Sequence, residues 1–272
     1  MLLQRVLTAL LLAPLVIALI LFLPTAWFAA AVAVAFLAAL WEWGALSGLQ
    51  NHAWRAVVLL LAALALVGLW TLRLTAVGPG VVWLGVAWWV LVCVWLRHFT
   101  FAAAPTPQNR ALKLVAGACV VLPAWMAAVL VHARVPHGQW WMLLALLIVW
   151  AADIGAYSSG RTFGGRKLAP QISPGKTWAG AYGALVAGVI VMLVGAWLLD
   201  TRGARLLALG LVAVIMVGVS IVGDLLESLM KRHARVKDSG TLFPGHGGLM
   251  DRLDSVFAAL PVFAAGLLWL DH

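Results

Sequence analysis

Long apolar segments, separated by short polar connections, occupy most of this chain. Nine of them are long enough to cross the ~30 Å hydrocarbon core of a bilayer as helices, which takes roughly 17 to 25 residues each. Runs such as 56–69 are apolar on every face, whereas the strands of a membrane β-barrel alternate apolar and polar residues. The pattern therefore predicts an all-α, polytopic integral membrane protein. The predicted transmembrane helices cover residues 6–23, 25–46, 56–76, 80–97, 112–132, 139–158, 178–199, 205–230 and 255–271.

Composition and the distribution of positive charge support this interpretation and orient the chain. Hydrophobic residues make up 65% of the 272 residues, against about 45–50% in soluble domains. Cytoplasmic loops of membrane proteins carry an excess of Lys and Arg. A cytoplasmic N-terminus puts 14 of the 18 Lys and Arg residues on that side. The formal net charge of +9 is mostly this bias, so we expect contact with anionic lipid or a nucleotide there, and no binding of nucleic acid.

Polar residues divide the chain into two regions. Residues 1–110 are predicted to form N-terminal transmembrane helices with few ionisable groups. Residues 111–272 are predicted to form a C-terminal transmembrane catalytic region, because the loops at 159–177 and 231–254 are long, basic and rich in glycine. Both loops fall on the predicted cytoplasmic side.

Acidic residues are scarce and concentrated near the C-terminus. Five of the nine lie between residues 224 and 254. The positions of Asp224, Glu227, Ser228 and Lys231 are spaced i, i+3, i+4 and i+7, which places all four on one face of a helix. An ionised carboxylate inside the membrane is costly and by default marks a functional site. The structural alternative is a Glu227–Lys231 pair with Asp224 bound by a neighbouring helix.

Two further carboxylates, Asp251 and Asp254, precede the last apolar run at a spacing of i, i+3. Capping of that helix accounts for one of them. It does not account for both, nor for Asp224 at the same predicted membrane depth. Three converging carboxylates suit a hard divalent cation such as Mg²⁺. We therefore predict a metal site at Asp224, Asp251 and Asp254, with helix capping as the alternative.

The other cytoplasmic loop, 159–177, has the composition of a phosphate-binding segment. Its glycines allow backbone N–H groups to approach phosphate oxygens, and Arg161 and Lys176 supply countercharge. The segment Gly175-Lys176-Thr177 is not part of a P-loop, because Pro170 stands where that motif requires glycine. An ordinary basic loop at the membrane surface is the alternative.

Taken together, these segments have the residues and spacing of a known family. The chain resembles the phosphatidate cytidylyltransferase (CDP-diacylglycerol synthase) family, most strongly over residues 150–255. One position departs from the pattern: members usually carry Glu after the Trp of the Ser-Pro-x-Lys-Thr-Trp segment, where this chain has Ala179. The matching residues are Asp153-Ile-Gly-Ala-Tyr157, Gly160-Arg161, Ser173-Pro174, Lys176-Thr177-Trp178, Gly223-Asp224, Glu227-Ser228, Lys231-Arg232, Lys237-Asp238, Gly240, Pro244, His246-Gly247-Gly248, Asp251-Arg252 and Asp254.

The resemblance implies a nucleotidyltransferase that moves the cytidylyl group of CTP to phosphatidic acid, giving CDP-diacylglycerol and pyrophosphate, with Mg²⁺. It implies CTP, phosphatidic acid and membrane lipid as partners, and it leaves open a second cation and a homodimer. The implied catalytic residues are Asp224, Lys237, Asp251, Arg252 and Asp254, with Asp224, Asp251 and Asp254 as metal ligands. The implied substrate-binding residues are Asp153, Tyr157, Gly160, Arg161, Ser173, Lys176, Thr177, Ser228, Lys231, Arg232, Asp238, His246, Gly247 and Gly248.

Other classes fit the sequence less well. The CDP-alcohol phosphotransferases would show an Asp-Gly opening and a later Asp-x-x-x-Asp, whereas this chain has Asp-x-x-Asp. A transporter would place acids near the membrane midplane and polar groups on both faces. A related CTP-dependent or phosphate-handling lipid enzyme is the remaining alternative. We expect an integral protein of a bacterial inner membrane whose active site faces the cytoplasm.

Overall fold

The computed structural model describes residues 2–240 and 247–271, with side chains from residue 11 onward. The described ranges contain nine helices and one pair of short strands. Each helix overlaps one of the nine apolar segments, so the prediction of an all-α membrane protein is confirmed. The helices are α1 Leu2–Phe22, α2 Thr25–Leu46, α3 His52–Leu72, α4 Val77–Trp95, α5 Pro107–His132, α6 Gly138–Phe163, α7 Trp178–Leu198, α8 Gly203–Ala234 and α9 Met250–Leu270.

Apolar surface lies on both the inside and the outside of this helical bundle. In the described part of the chain, eight helices, α2 to α9, are long and apolar enough to cross a membrane, and α1 is apolar over Leu11–Phe22. Large apolar side chains remain exposed on outer helices, for example Leu60, Leu61 and Leu64 on α3. In a bilayer these side chains meet hydrocarbon rather than water.

Helix α9 forms the centre of the bundle. Every residue from Ser255 to Leu267 is buried. The helix packs most extensively against α8. It also packs against α4, which belongs to the predicted N-terminal region, and against α5, which lies just after residue 106. The two predicted regions therefore meet along α9, and the division near residue 110 stays a prediction.

Two glycines allow close contacts between helices near the polar residues of α6, α8 and α9. Gly223 on α8 lies against the backbone carbonyl of Asp254 on α9, where a Cβ atom would collide with it. Gly183 on α7 lies in the same way against the carbonyl of Gly155 on α6. Small residues at helix contacts allow the backbones to approach. These two contacts join α6 to α7 and α8 to α9, and α7 also packs against α8, so the four helices lie together.

The two polar loops contain more regular structure than the sequence predicts. Strands β1 (Lys167–Ala169) and β2 (Ser173–Thr177) pair antiparallel, with Lys167 opposite Thr177. Helix α6 continues to Phe163 and α8 to Ala234, whereas the predicted helices end at residues 158 and 230. Outside the hydrocarbon core a helix can continue with polar residues, so hydropathy alone sets its end too early.

At the opposite end of the bundle, one carboxylate joins three elements. Asp271, which follows α9, accepts hydrogen bonds from Arg134 Nη2 at 2.6 Å and from Arg205 Nη2 at 2.7 Å. Arg134 lies between α5 and α6, and Arg205 lies on α8. Mainly through its hydrogen bonds with Arg134, the pKa of the Asp271 carboxyl is held below its ordinary value of 3.8.

We expect Asp271→Asn to lower the unfolding midpoint in detergent only modestly, because partly exposed ion pairs contribute about 1 kcal/mol or less. A depressed pKa stabilises the fold above the pKa of the unfolded state, 3.8, and this contribution is lost as pH falls through the lower folded value. The difference between wild type and variant should therefore be present at neutral pH and vanish in acid. Thermal unfolding of both proteins across this pH range measures it, and a pH-independent difference would contradict the account.

Candidate active site

A cavity of about 380 Å³ lies at the polar end of α6, α7 and α8, beside the β-hairpin. Its apolar lining includes Ala152, Ala184 and Ile221. Its polar lining comes from α6, β2, α8 and α9 and consists of Asp153, Tyr157, Arg161, Lys176, Thr177, Ser220, Asp224 and Ser255. The cavity therefore joins an apolar wall to a charged edge, which is the character expected of a site for an amphiphile.

Three carboxylates converge beside this cavity. One oxygen each from Asp224, Glu227 and Asp254 lies within 4.8 Å of the others. Asp224 and Glu227 are on successive turns of one face of α8, as their spacing predicts, and Asp254 is on α9. The close contact at Gly223 brings the backbone of Asp254 against α8. The group thus depends on the packing of α8 against α9.

Glu227 is the most buried member of the group. Its side chain is 1% exposed, and Lys231 Nζ lies 2.6 Å from Oε2. In the described part of the chain, Oε1 accepts no hydrogen bond from an N–H or O–H donor, and the carboxyl group of Asp251 lies beside that of Glu227. A buried carboxylate oxygen without a partner is costly. Three carboxylate oxygens close together fit a hard divalent cation such as Mg²⁺, which would remove this cost.

Asp251 contacts Lys231 and the loop that precedes α9. It lies outside the three-carboxylate group, and its Oδ1 is 2.6 Å from Lys231 Nζ. Its Oδ2 accepts hydrogen bonds from the backbone N–H of Ser239 at 2.9 Å and of Gly248 at 2.8 Å. Because α9 begins at Met250, Asp251 is in the first helical turn and binds the preceding loop. The structure brings Glu227 together with Asp224 and Asp254, and Asp251 lies against Glu227 and Lys231.

Lys176 links the β-hairpin to the carboxylate group. It lies on β2 and forms an ion pair with Asp224 on α8. The next residue, Thr177, caps α7 by accepting a hydrogen bond from the N–H of Gly180 at 3.1 Å. The hairpin and this cap place the Lys176 ammonium at the edge of the cavity. The Glu227–Lys231 pair of the structural alternative is present, but the partner of Asp224 lies on a strand and not on a neighbouring helix.

A carboxylate in the first half of the chain binds the segment that carries Asp251 and Asp254. Glu42, near the end of α2, is 8% exposed. Its Oε1 accepts a hydrogen bond from Leu249 N at 3.0 Å, and its Oε2 accepts from Met250 N at 2.8 Å and from Ser239 Oγ at 2.8 Å. Glu42 thereby binds both the start of α9 and the loop that precedes it. The sequence analysis did not select it, although an acid within an apolar span was a sufficient signal.

Comparison with known proteins identifies the family of this chain. The sequence model of the cytidylyltransferase family matches residues 3–270. The chain belongs to this family. A phosphatidate cytidylyltransferase of Pseudomonas aeruginosa is 42% identical over 269 residues, which are 99% of this chain and 97% of that protein. A phosphatidate cytidylyltransferase of Haemophilus influenzae is 35% identical over 290 residues, with 97% of this chain and 98% of that protein covered.

In this cytidylyltransferase, four predicted substrate-binding residues on α6 line the cavity. They are Asp153, Tyr157, Gly160 and Arg161. Arg161 Nη1 donates a hydrogen bond to the Tyr157 hydroxyl at 2.9 Å, so the two side chains fix each other. The sequence predicts part of this segment as a loop, but in the structure all four residues are helical.

The remaining predicted residues are distributed around the carboxylate group. Ser228 Oγ lies 3.4 Å from Asp224 Oδ1, and Arg232 Nε donates to the carbonyl of Ile172 between the two strands at 3.2 Å. Ser173 begins β2. Gly247 has a left-handed backbone with φ of 82° and stands beside Gly248 in the loop before α9. Lys237, Asp238 and Arg252 are exposed, and His246 lies outside the described residues.

Proposed function

We propose that this membrane enzyme transfers the cytidylyl group of CTP to phosphatidic acid, forming CDP-diacylglycerol and pyrophosphate. Its family and its phosphatidate cytidylyltransferase relatives support this reaction. The observation that carries the proposal at the site is the group of three carboxylates, with lysines on both sides, at the edge of a partly apolar cavity. Both substrates are polyanions, and one of them is a lipid, so the site must combine these features.

The carboxylates Asp224, Glu227 and Asp254 would hold Mg²⁺. When bound, the cation neutralises phosphate charge and stabilises the charge that develops on the leaving pyrophosphate. Glu227 takes the place that the sequence analysis gave to Asp251, because an oxygen of Glu227 lies within 4.8 Å of the other two acids. Asp251 would act by holding Lys231 and the loop that precedes α9.

The reaction itself requires positioning more than acid–base chemistry. A phosphate oxygen of phosphatidic acid attacks the α-phosphorus of CTP, and the bond from that phosphorus to the oxygen bridging to the β-phosphorus breaks. The nucleophile is already an anion, so no general base is needed. Lys176, Arg161 and Lys231 lie around the cavity and the carboxylates, where they can bind phosphate oxygens and align the two substrates.

The apolar wall of the cavity would receive the lipid substrate. Ala152, Ala184 and Ile221 provide a surface for the glycerol and the first acyl carbons, while the phosphate lies at the charged edge. This edge is at the end of the bundle to which most of the Lys and Arg residues were assigned in the sequence analysis. We therefore propose an inner-membrane enzyme whose site opens to the cytoplasm, where CTP is available. A second cation and a homodimer are compatible with this arrangement.

We expect Lys176→Gln to raise the KM for CTP about 10-fold, because one charge-assisted contact to phosphate contributes roughly 1.5 kcal/mol. Its matched control is Lys167→Gln, a change of an exposed lysine on the other strand of the hairpin. Initial rates over a range of CTP concentrations measure the effect. An unchanged KM for CTP in Lys176→Gln would remove Lys176 from the nucleotide site.

A further inference from the structure

A second cavity, of about 290 Å³, lies at the same end of the bundle. It is formed by the end of α2, the connection between α4 and α5, the start of α5 and the end of α8. It shares no lining residue with the first cavity. No residue assigned to catalysis or substrate binding lines it. The reaction proposed above therefore does not use this cavity.

Two cationic side chains line this second cavity, and no Asp or Glu does. Lys113 is only 5% exposed. Within the described part of the chain, its ammonium forms no ion pair with a carboxylate and no side-chain hydrogen bond. Arg110, one helical turn earlier, is exposed at the cavity's rim. A buried cation without a counterion is costly, which points to an anionic ligand.

His233 provides a hydrogen-bond acceptor beside the two cationic side chains. Its Nε2 lies 2.7 Å from the carbonyl oxygen of Phe99, and because a carbonyl can only accept, Nε2 carries the hydrogen. The other ring nitrogen, Nδ1, is buried and has no hydrogen-bond partner among the described residues. In the neutral ring Nδ1 is an acceptor. It therefore suits a ligand that carries a hydroxyl group close to its anionic group.

We propose that this second cavity binds a phosphate ester with a neighbouring hydroxyl group, as in glycerol phosphate. Lys113 and Arg110 bind the phosphate oxygens, and His233 Nδ1 accepts a hydrogen bond from the hydroxyl. Such a group is present both in the headgroup of phosphatidylglycerol and in soluble glycerol 3-phosphate. The ligand would contact the last turn of α8, two residues after Lys231, and the start of α5, whose Lys113 carbonyl accepts a hydrogen bond from Trp43 Nε1 at 2.7 Å.

Native mass spectrometry of the full chain released from detergent can count the bound molecules. One arm adds phosphatidylglycerol, with phosphatidylcholine as the comparison, and the other adds soluble glycerol 3-phosphate. The variants are Arg110→Gln, whose exposed side chain carries little folding risk, and Lys113→Met. The matched control is Arg97→Gln, an exposed arginine in the connection before α5 that does not line the cavity. Lys176→Gln is measured in parallel, so that binding at the second cavity can be distinguished from binding at the first.

We expect Arg110→Gln and Lys113→Met to weaken binding of the phosphate ester about 10- to 100-fold, as loss of a hydrogen bond to a charged group does. Arg97→Gln and Lys176→Gln should keep this binding event. Loss in the lipid arm alone identifies a headgroup site, loss in the soluble arm alone identifies a metabolite site, and loss in both identifies the shared group. Equal binding by wild type and both cavity variants, or no binding of either probe to wild type, would overturn the proposal.

Discussion

Asp254→Asn should reduce Mg²⁺-dependent formation of CDP-diacylglycerol by about 1,000-fold or more, because loss of a metal ligand removes roughly 4 kcal/mol of stabilisation from the transition state. Asp254 is the member of the three-carboxylate group contributed by α9, and its oxygen lies within 4.8 Å of those of Asp224 and Glu227. Radiolabelled CTP and phosphatidic acid in mixed micelles provide the assay. The unfolding midpoint should stay close to that of wild type, because an uncharged Asn side chain relieves the repulsion between Asp254 and the carboxylates of Asp224 and Glu227.

The matched control is Asp200→Asn, which neutralises an exposed acid between α7 and α8. It should retain wild-type activity. Binding of Mn²⁺, a probe for oxygen ligand sites, separates the two possible ligand sets. Glu227→Gln should lose Mn²⁺ affinity, whereas Asp251→Asn should keep most of it and lose activity through Lys231 and the loop. Full activity of Asp254→Asn, or the reverse order of Mn²⁺ affinities, would contradict this assignment of ligands.

Glu42→Gln should lower kcat about 100-fold even though Glu42 lies on α2 and does not line the cavity. Its two oxygens accept hydrogen bonds from Leu249 N, Met250 N and Ser239 Oγ. The amide turns one acceptor into a donor that faces donors, and loss of two charge-assisted bonds corresponds to roughly 3 kcal/mol. The start of α9, and with it Asp254, would then be poorly positioned.

Two readouts identify Glu42 as a positioning residue. The variant should need more Mg²⁺ for half-maximal activity than wild type, and the backbone amides of Leu249 and Met250 should exchange hydrogen faster. Asp200→Asn again serves as the control for removal of a negative charge. Wild-type kcat with unchanged hydrogen exchange in Glu42→Gln would show that the loop and α9 hold their positions without it.

The helices were predictable because hydropathy and length are local properties of the sequence. The predicted segment 25–46 has the same bounds as α2, whereas the predicted 205–230 falls four residues short of the end of α8 at Ala234. Three of those last four residues, Lys231, Arg232 and His233, are polar, and hydropathy does not distinguish a polar helix from a loop. The sequence analysis did not predict the β-hairpin at 167–177, because its strands are only three and five residues long and depend on contacts with α7 and α8.

The candidate site was predictable in part. The spacing of Asp224 and Glu227 correctly places both on one face of α8, and Lys176 was selected from its own loop. Which acid joins Asp224 and Asp254 depends on where α9 begins and on the close contact at Gly223, and neither follows from local spacing. Glu42 lies 197 residues before Ser239, so only the folded bundle shows that the two interact.

The reaction is tested most directly by product formation with the purified wild-type protein. Labelled CTP and phosphatidic acid are incubated with and without Mg²⁺, and the lipid product is separated and counted. The proposed function predicts labelled CDP-diacylglycerol and an equal amount of pyrophosphate, both dependent on Mg²⁺. Folded protein that forms no labelled lipid, or forms it equally well after removal of Mg²⁺, would contradict the account.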